Sequence, residues 1–129
     1  MAETMAAAAG QIGCIDLTVP NAESVRKFYE HATGWTASPV SVGDNNDYCM
    51  LPAGTGKAVA GVCHASGENA GLSPAWLIYM TVADLDESVR GCAERGGKVP
   101  VAERRIAGMG RYGVIQDPAD PVAALYQGE

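Results

Sequence analysis

Residues 12–35 read Ile-Gly-Cys-Ile-Asp-Leu-Thr-Val-Pro-Asn-Ala-Glu-Ser-Val-Arg-Lys-Phe-Tyr-Glu-His-Ala-Thr-Gly-Trp. The first eight alternate: Ile15, Leu17 and Val19 share one face of a strand, and Cys14, Asp16 and Thr18 share the other. Pro20 has no amide to give a ladder, so the strand should stop there. Asn21 is a suitable N-cap, its side-chain oxygen reaching a free amide of the first turn. Val25, Phe28, Tyr29 and Ala32 then recur as one helical face, and Gly34 can close the helix in the left-handed conformation. One strand face meets the helix; the other is left for something else.

Outward from this stretch, residues 35–42 and 47–51 read as strands around a turn at 43–46, and 57–63 as a further strand after a tight loop at 52–56. His64 to Pro74 is rich in Gly, Ser and Asn and reads as a linker. The pattern then restarts. Residues 76–82 alternate, Asp84 and Glu87 form a capping-box pattern, and Leu85, Val89, Cys92 and Ala93 supply an apolar helical stripe ended by Gly96-Gly97. Strands follow at 98–104, 111–116 and 121–126. At an offset of 63 residues Thr18 falls on Thr81, Val19 on Val82, Asn21 on Asp84 and Gly34 on Gly97. The economical reading is a duplicated strand-helix-three-strand unit, hence an α+β fold.

A chain of 129 residues can bury a core without staples, and 47% apolar with 19% charged residues describes a globular chain. A net charge of −6 repels phosphate backbones and anionic lipid, which argues against nucleic-acid and membrane partners. Cys14, Cys49, Cys63 and Cys92 form no Cys-x-x-Cys pair and read as reduced, buried thiols, with disulfides the alternative that nothing in the spacing asks for. The opening residues lack a basic export signal and no run approaches spanning length, so a cytoplasmic location is expected. Residues 1–10 are expected to be a weakly ordered tail, and 11–127 one domain of two modules, 11–64 and 75–127.

In the order and spacing of Asp16-Leu-Thr-Val-Pro-Asn21, Phe28-Tyr29, Gly34-Trp35, Trp76-Leu-Ile-Tyr79, Val82-Ala-Asp84, Gly96-Gly97, Gly113-Val-Ile-Gln-Asp-Pro118 and Leu125-Tyr126, the chain resembles the vicinal oxygen chelate superfamily of glyoxalases, extradiol dioxygenases and bleomycin-resistance proteins. The resemblance implies two βαβββ modules forming a curved mixed-sheet cup, commonly completed by a second subunit, so a homodimer is expected. Family enzymes hold a divalent metal in the cup through His, Glu or Gln on the first and last strands of each module. Carried over, the first-strand positions land on Cys14 and Leu77, and the last-strand positions on Gly61 and Ala124. Three of these have no donor side chain and a lone thiolate does not suit a hard metal, so no metal or other cofactor is expected.

Asp16 shares the cup-facing parity and is the candidate general base; a structural, hydrogen-bonded aspartate is the plainer alternative. Cys14, Tyr48, Met50, Trp76, Tyr79 and Tyr126 are candidate ligand contacts, each set against ordinary core packing. Arg111 and Tyr112 follow a glycine-flanked loop at 107–111 that could act as a lid, with Arg111 holding a carboxylate or phosphate, or else standing as a solvated rim charge or a partner for Asp117. His31 and His64 read as surface residues, Gly54-Thr-Gly56 and Gly108-Met-Gly110 as turns, and Cys14 has no visible activating base. The leading expectation is a metal-independent protein binding a small hydrophobic metabolite or drug. The alternatives are a metal-dependent lyase, isomerase or dioxygenase of the same superfamily, and a module serving only dimerisation.

Overall fold

The computed structural model describes residues 8–43, 45–65, 71 and 74–129. The expected tail at 1–10 lies outside the described residues over 1–7, as do Asp44 of the expected turn and most of the expected linker. The described chain divides into two compact units, residues 14–76 and residues 8–13 with 77–129. Each carries one helix on four strands, so the α+β class and the paired βαβββ modules hold.

In the first unit, β1 (Ile12–Val19) leads into α1 (Ala22–Thr33), β2 (Thr36–Val42), β3 (Asn45–Leu51) and β4 (Ala60–His64). The strand order is β2-β3-β4-β1, antiparallel except for the parallel closure of β4 on β1. Alternation along each strand sends Leu17, Val19, Tyr48, Met50, Ala60 and Val62 to one face, where Ala22, Val25 and Tyr29 of α1 cover them. Burying side chains of this kind contributes about 1.5–3 kcal/mol each. The helical stripe is therefore Ala22, Val25 and Tyr29; Phe28, expected in it, is 64% exposed, because it lies about 100° round the helix and only edges against Tyr29. Asn21 stands at the N-cap without a side-chain cap bond, and Ser24 Oγ instead donates to its carbonyl (3.1 Å). Gly34 ends α1 in the left-handed region as expected, its amide bonding Glu30 O (3.0 Å). Glu30 ties helix to sheet, accepting from Ala37 N (3.1 Å) and pairing with Arg26 (2.7 Å). The last strand begins at Ala60 rather than residue 57, although Val59 N still donates to Met50 O (2.9 Å).

The second unit repeats the plan with β5 (Trp76–Thr81), α2 (Leu85–Glu94), β6 (Lys98–Ile106), β7 (Gly110–Gln116) and β8 (Val122–Gly128). Its order is β5-β8-β7-β6, again closed by a parallel pair, β5 with β8. The offset read from the sequence is the offset of the pairing: Asp16 stands opposite Gly61, and Tyr79 opposite Ala124. Asp84 caps α2 by accepting from Glu87 N (3.2 Å), while the Glu87 carboxylate pairs with Arg90 (2.8 Å) rather than closing the box. Only Leu85 of α2 is fully buried, and Ala93, expected in the stripe, is exposed. Small residues Ser88, Gly91 and Cys92 share the sheet-facing side. Two irregularities in β6, before Val101 and before Arg104, interrupt its pairing with β7.

Two glycines test these packings with opposite signs. A Cβ on Gly91 meets only Arg95 Nη1, at 3.6 Å, so Gly91→Ala should stabilise by about 0.5–1 kcal/mol through helix propensity. Gly110 has φ +131° and a Cβ there would run into Gln127 O, so Gly110→Ala should cost about 3 kcal/mol or more. Urea midpoints of the two variants check both.

Candidate functional site

In each module the sheet face turned away from its helix carries candidate residues, Asp16 in the first and Tyr79 in the second. In the first, Asp16 is 3% exposed on that face, beside Thr18 and across from Gly61. A Cβ on Gly61 would lie 2.5 Å from Asp16 Oδ1 and 3.8 Å from Cys63 Sγ, so the carboxylate fills the space that a longer side chain there would need. Burial pushes the Asp16 carboxyl above the usual carboxylate range, and the negative charge of Asp47 adds to it. The Cys63 thiol is pushed up by burial first and then by Asp16 and Asp47, so it stays protonated and is a poor nucleophile. Cys63 also donates to Asp47, whose Oδ1 accepts from His64 N (2.9 Å); His64 Nδ1 lies 2.7 Å from Asn46 O. Cys14 is buried on the Asp16 side of β1. Burial therefore favours the protonated form of Asp16 over the carboxylate.

Three expected ligand contacts lie elsewhere. Tyr48 and Met50 belong to the helix-side core, because the register of β3 against β4 sets Asp47 and Cys49 on the opposite face. Trp76 packs against that same core, its Nε1 donating to Tyr29 OH (3.1 Å) and its ring meeting Tyr29 and Trp35 edge-on.

In the second module Tyr79, Tyr112 and Tyr126 do come together on the face away from α2. Tyr79 and Tyr112 meet edge-to-face at 5.6 Å, and Tyr112 pairs directly with Tyr126 across β7 and β8. Tyr126 OH donates to Met109 O, which ties the 107–109 turn to the wall. Arg111 points the other way. It reaches Asp86 (3.1 Å), Glu103 (3.0 Å) and Gln127 (2.9 Å), and Gln127 Oε1 also accepts from Leu85 N, so Arg111 clamps the start of α2. Asp86 and Glu103 hold its guanidinium in the charged form. Its partner is therefore not Asp117.

Sequence reading passed over Arg104. It stands opposite Tyr112 on the tyrosine face, and its Nη1 is buried with no hydrogen-bond partner among the described residues. Neighbouring Arg105 is solvent-facing and pairs with Glu103. Alternation alone would have separated the two arginines, but the irregularities in β6 hide which of them points inward.

The four positions at which the resemblance puts metal ligands carry Cys14, Gly61, Leu77 and Ala124. Gly61 and Ala124 face Asp16 and Tyr79 across the closing strand pairs. Among the described residues no three His, Cys, Asp or Glu side chains gather as a metal-holding group. This donor set does not fit a divalent ion.

The profile of the Glyoxalase/Bleomycin resistance protein/Dioxygenase superfamily matches residues 11–121. CFP32 of Mycobacterium bovis and Mycobacterium tuberculosis, provisionally named a glyoxylase, is 28% identical over 114 residues, covering 88% of this chain. The chain spans 44% of the length of these relatives. Among solved structures, methylmalonyl-CoA epimerase from Mycobacterium tuberculosis shares the fold with a TM-score of 0.54 at 15% identity, covering 95% of this chain and 93% of that one. The Mn(II)-bound glyoxalase from Novosphingobium aromaticivorans has a TM-score of 0.56 at 16% identity, covering 92% of this chain and 39% of that one.

The raised carboxyl of Asp16 has a pH signature. The folded protein holds this proton more tightly than the unfolded chain does. Its contribution is therefore fully present below the ordinary value of 3.8 and lost as pH rises through the folded value. Asp16→Asn should remove that dependence, by at most about 1.4 kcal/mol per pH unit, and gain on the parent as pH rises. Denaturant titrations across the acid-to-neutral range check it; parallel curves for parent and variant would refute the assignment.

Proposed function

Since the chain belongs to the Glyoxalase/Bleomycin resistance protein/Dioxygenase superfamily yet carries Cys14, Gly61, Leu77 and Ala124 at the expected ligand positions, we propose that it binds a small, largely apolar organic molecule without a metal. The observation that carries this reading is that the last-strand positions, Gly61 opposite Asp16 and Ala124 opposite Tyr79, have no donor side chain. The seat is the tyrosine face of the second module. Tyr79, Tyr112 and Tyr126 supply aromatic area, Arg104 a hydrogen-bond donor, and the turn at Met109 an edge that can close. An apolar body with one polar group suits this wall.

A second reading follows from the raised carboxyl of Asp16: proton transfer in a metal-independent reaction, with Asp16 as general acid–base. Asp16→Asn would then abolish turnover while leaving binding at the tyrosine face unchanged. Self-association into a homodimer is also part of the proposal. Val40 and Val42 stand exposed on β2, the edge of its module, where unpaired backbone favours strand addition. Lysine at both positions should lower the mass seen in sedimentation.

The first test is the elemental content of protein purified without chelator, followed by melting with Ni, Zn, Mn and Fe(II). Metal far below stoichiometric and no melting shift are expected; near-stoichiometric, stabilising metal would overturn the reading. A screen of small aromatic and aliphatic compounds in EDTA should then find ligands that stabilise by ~2.7 kcal/mol at a hundredfold excess over Kd. Tyr79→Leu and Arg104→Met should each erase most of that gain. Tyr79→Ala is the harsher variant, since removing a ring that is 4% exposed costs about 3 kcal/mol by itself.

A further inference from the structure

A separate cavity lies on the opposite face of the second module, under the C-terminal half of α2. It has a volume of about 440 Å³, within the ~300–1,000 Å³ of small-molecule sites. It exists because α2 presents Ser88, Gly91 and Cys92 to the sheet, and these side chains are too small to fill the gap. Val82, Ile115 and Leu125 make an apolar floor. Leu125 alternates with Ala124 and Tyr126 along β8, so this floor and the tyrosine wall are on opposite sides of one strand.

The rim holds one uncommitted cation. Arg95 lines the cavity, and its Nη1 lies 3.6 Å from the place a Gly91 Cβ would take, so the guanidinium folds back over the helix toward the opening. It has no hydrogen-bond or ion-pair partner through its side chain among the described residues. Of the other polar lining groups, Asp117 Oδ1 accepts from Ala119 N (2.7 Å) and Gln116 Nε2 donates to Asp120 O (2.8 Å). The negative end of the helix is blunted, since Cys92 O accepts from both Arg95 N (3.2 Å) and Gly97 N (2.9 Å).

We propose that this cavity is a second binding site, for an amphipathic monocarboxylate. The aliphatic body lies on Val82, Ile115 and Leu125, and the carboxylate takes the fork of Arg95. Cys92, half-buried in the wall, reports occupancy without belonging to the anion contact.

The test is site-resolved mass spectrometry of iodoacetamide labelling on the full chain, with decanoate or decanol below their aggregation concentrations. Decanoate should slow alkylation of Cys92 roughly fivefold once it exceeds its Kd several times. Decanol should protect much less, and Arg95→Gln should bring decanoate down to the level of decanol. Half-buried Cys49 serves as the internal control, and Tyr79→Leu should leave the protection intact, which separates this site from the tyrosine face. Unchanged labelling of Cys92, equal protection by decanol, undiminished protection in Arg95→Gln, or equal slowing of Cys49 would each overturn the proposal.

Discussion

Both modules depend on one constraint: the parallel pairing that closes the last strand onto the first. At the point of closure a large polar side chain faces a residue with little or none, Asp16 facing Gly61 and Tyr79 facing Ala124. In the first module the fit is tight enough that the carboxylate occupies the volume above Gly61. A side chain long enough to reach a metal from that position would have to displace a buried acid. The same backbone arrangement is thus committed to a different use in each copy, an acid in one and an aromatic wall in the other.

The helix-side faces have diverged as well. Module one is filled by long side chains, with Met50 and Val62 fully buried and Tyr29, Trp35 and Trp76 in mutual ring contact. Module two docks its helix at the N-terminal end, through Leu85 and the Arg111–Asp86–Gln127 cluster, and leaves the other end standing on small residues. Charge-assisted bonds hold what apolar packing holds in the first copy. An arginine read from the sequence as a rim or ligand-binding charge turns out to be structural glue.

Much of the architecture was legible because it rests on residues with few alternatives. Pro20 ends β1, Gly34 closes α1 with positive φ, and the repeat offset reappears in the strand registers. The face of a short strand was not legible. Residues 47–51 offer too few alternations to fix parity, so Tyr48 and Met50 were assigned to the wall opposite the one they occupy. Phe28 misled because its neighbour Tyr29 carries the same apolar weight and only one of two adjacent helical positions can face the sheet. Arg104 was hidden by irregular pairing, which resets alternation in a way no period-two count can follow. The acid at position 16 was legible as a candidate, but its desolvation came only with the fold.

The parallel closures also order the assembly of the chain in time. The antiparallel pairs β2–β3 and β7–β8 join neighbours in sequence across short turns, whereas β1 must wait for β4, and β5 for β8, across an intervening helix and hairpin. Loop-closure entropy delays the long connections, so local hairpins form early and each module completes itself by capturing its final strand. Asp16 and Tyr79 sit on β1 and β5, the first strands onto which those final strands close. Both side chains are therefore desolvated only once folding is nearly done, and the cost of burying the acid falls late in the process, on a scaffold already able to bear it.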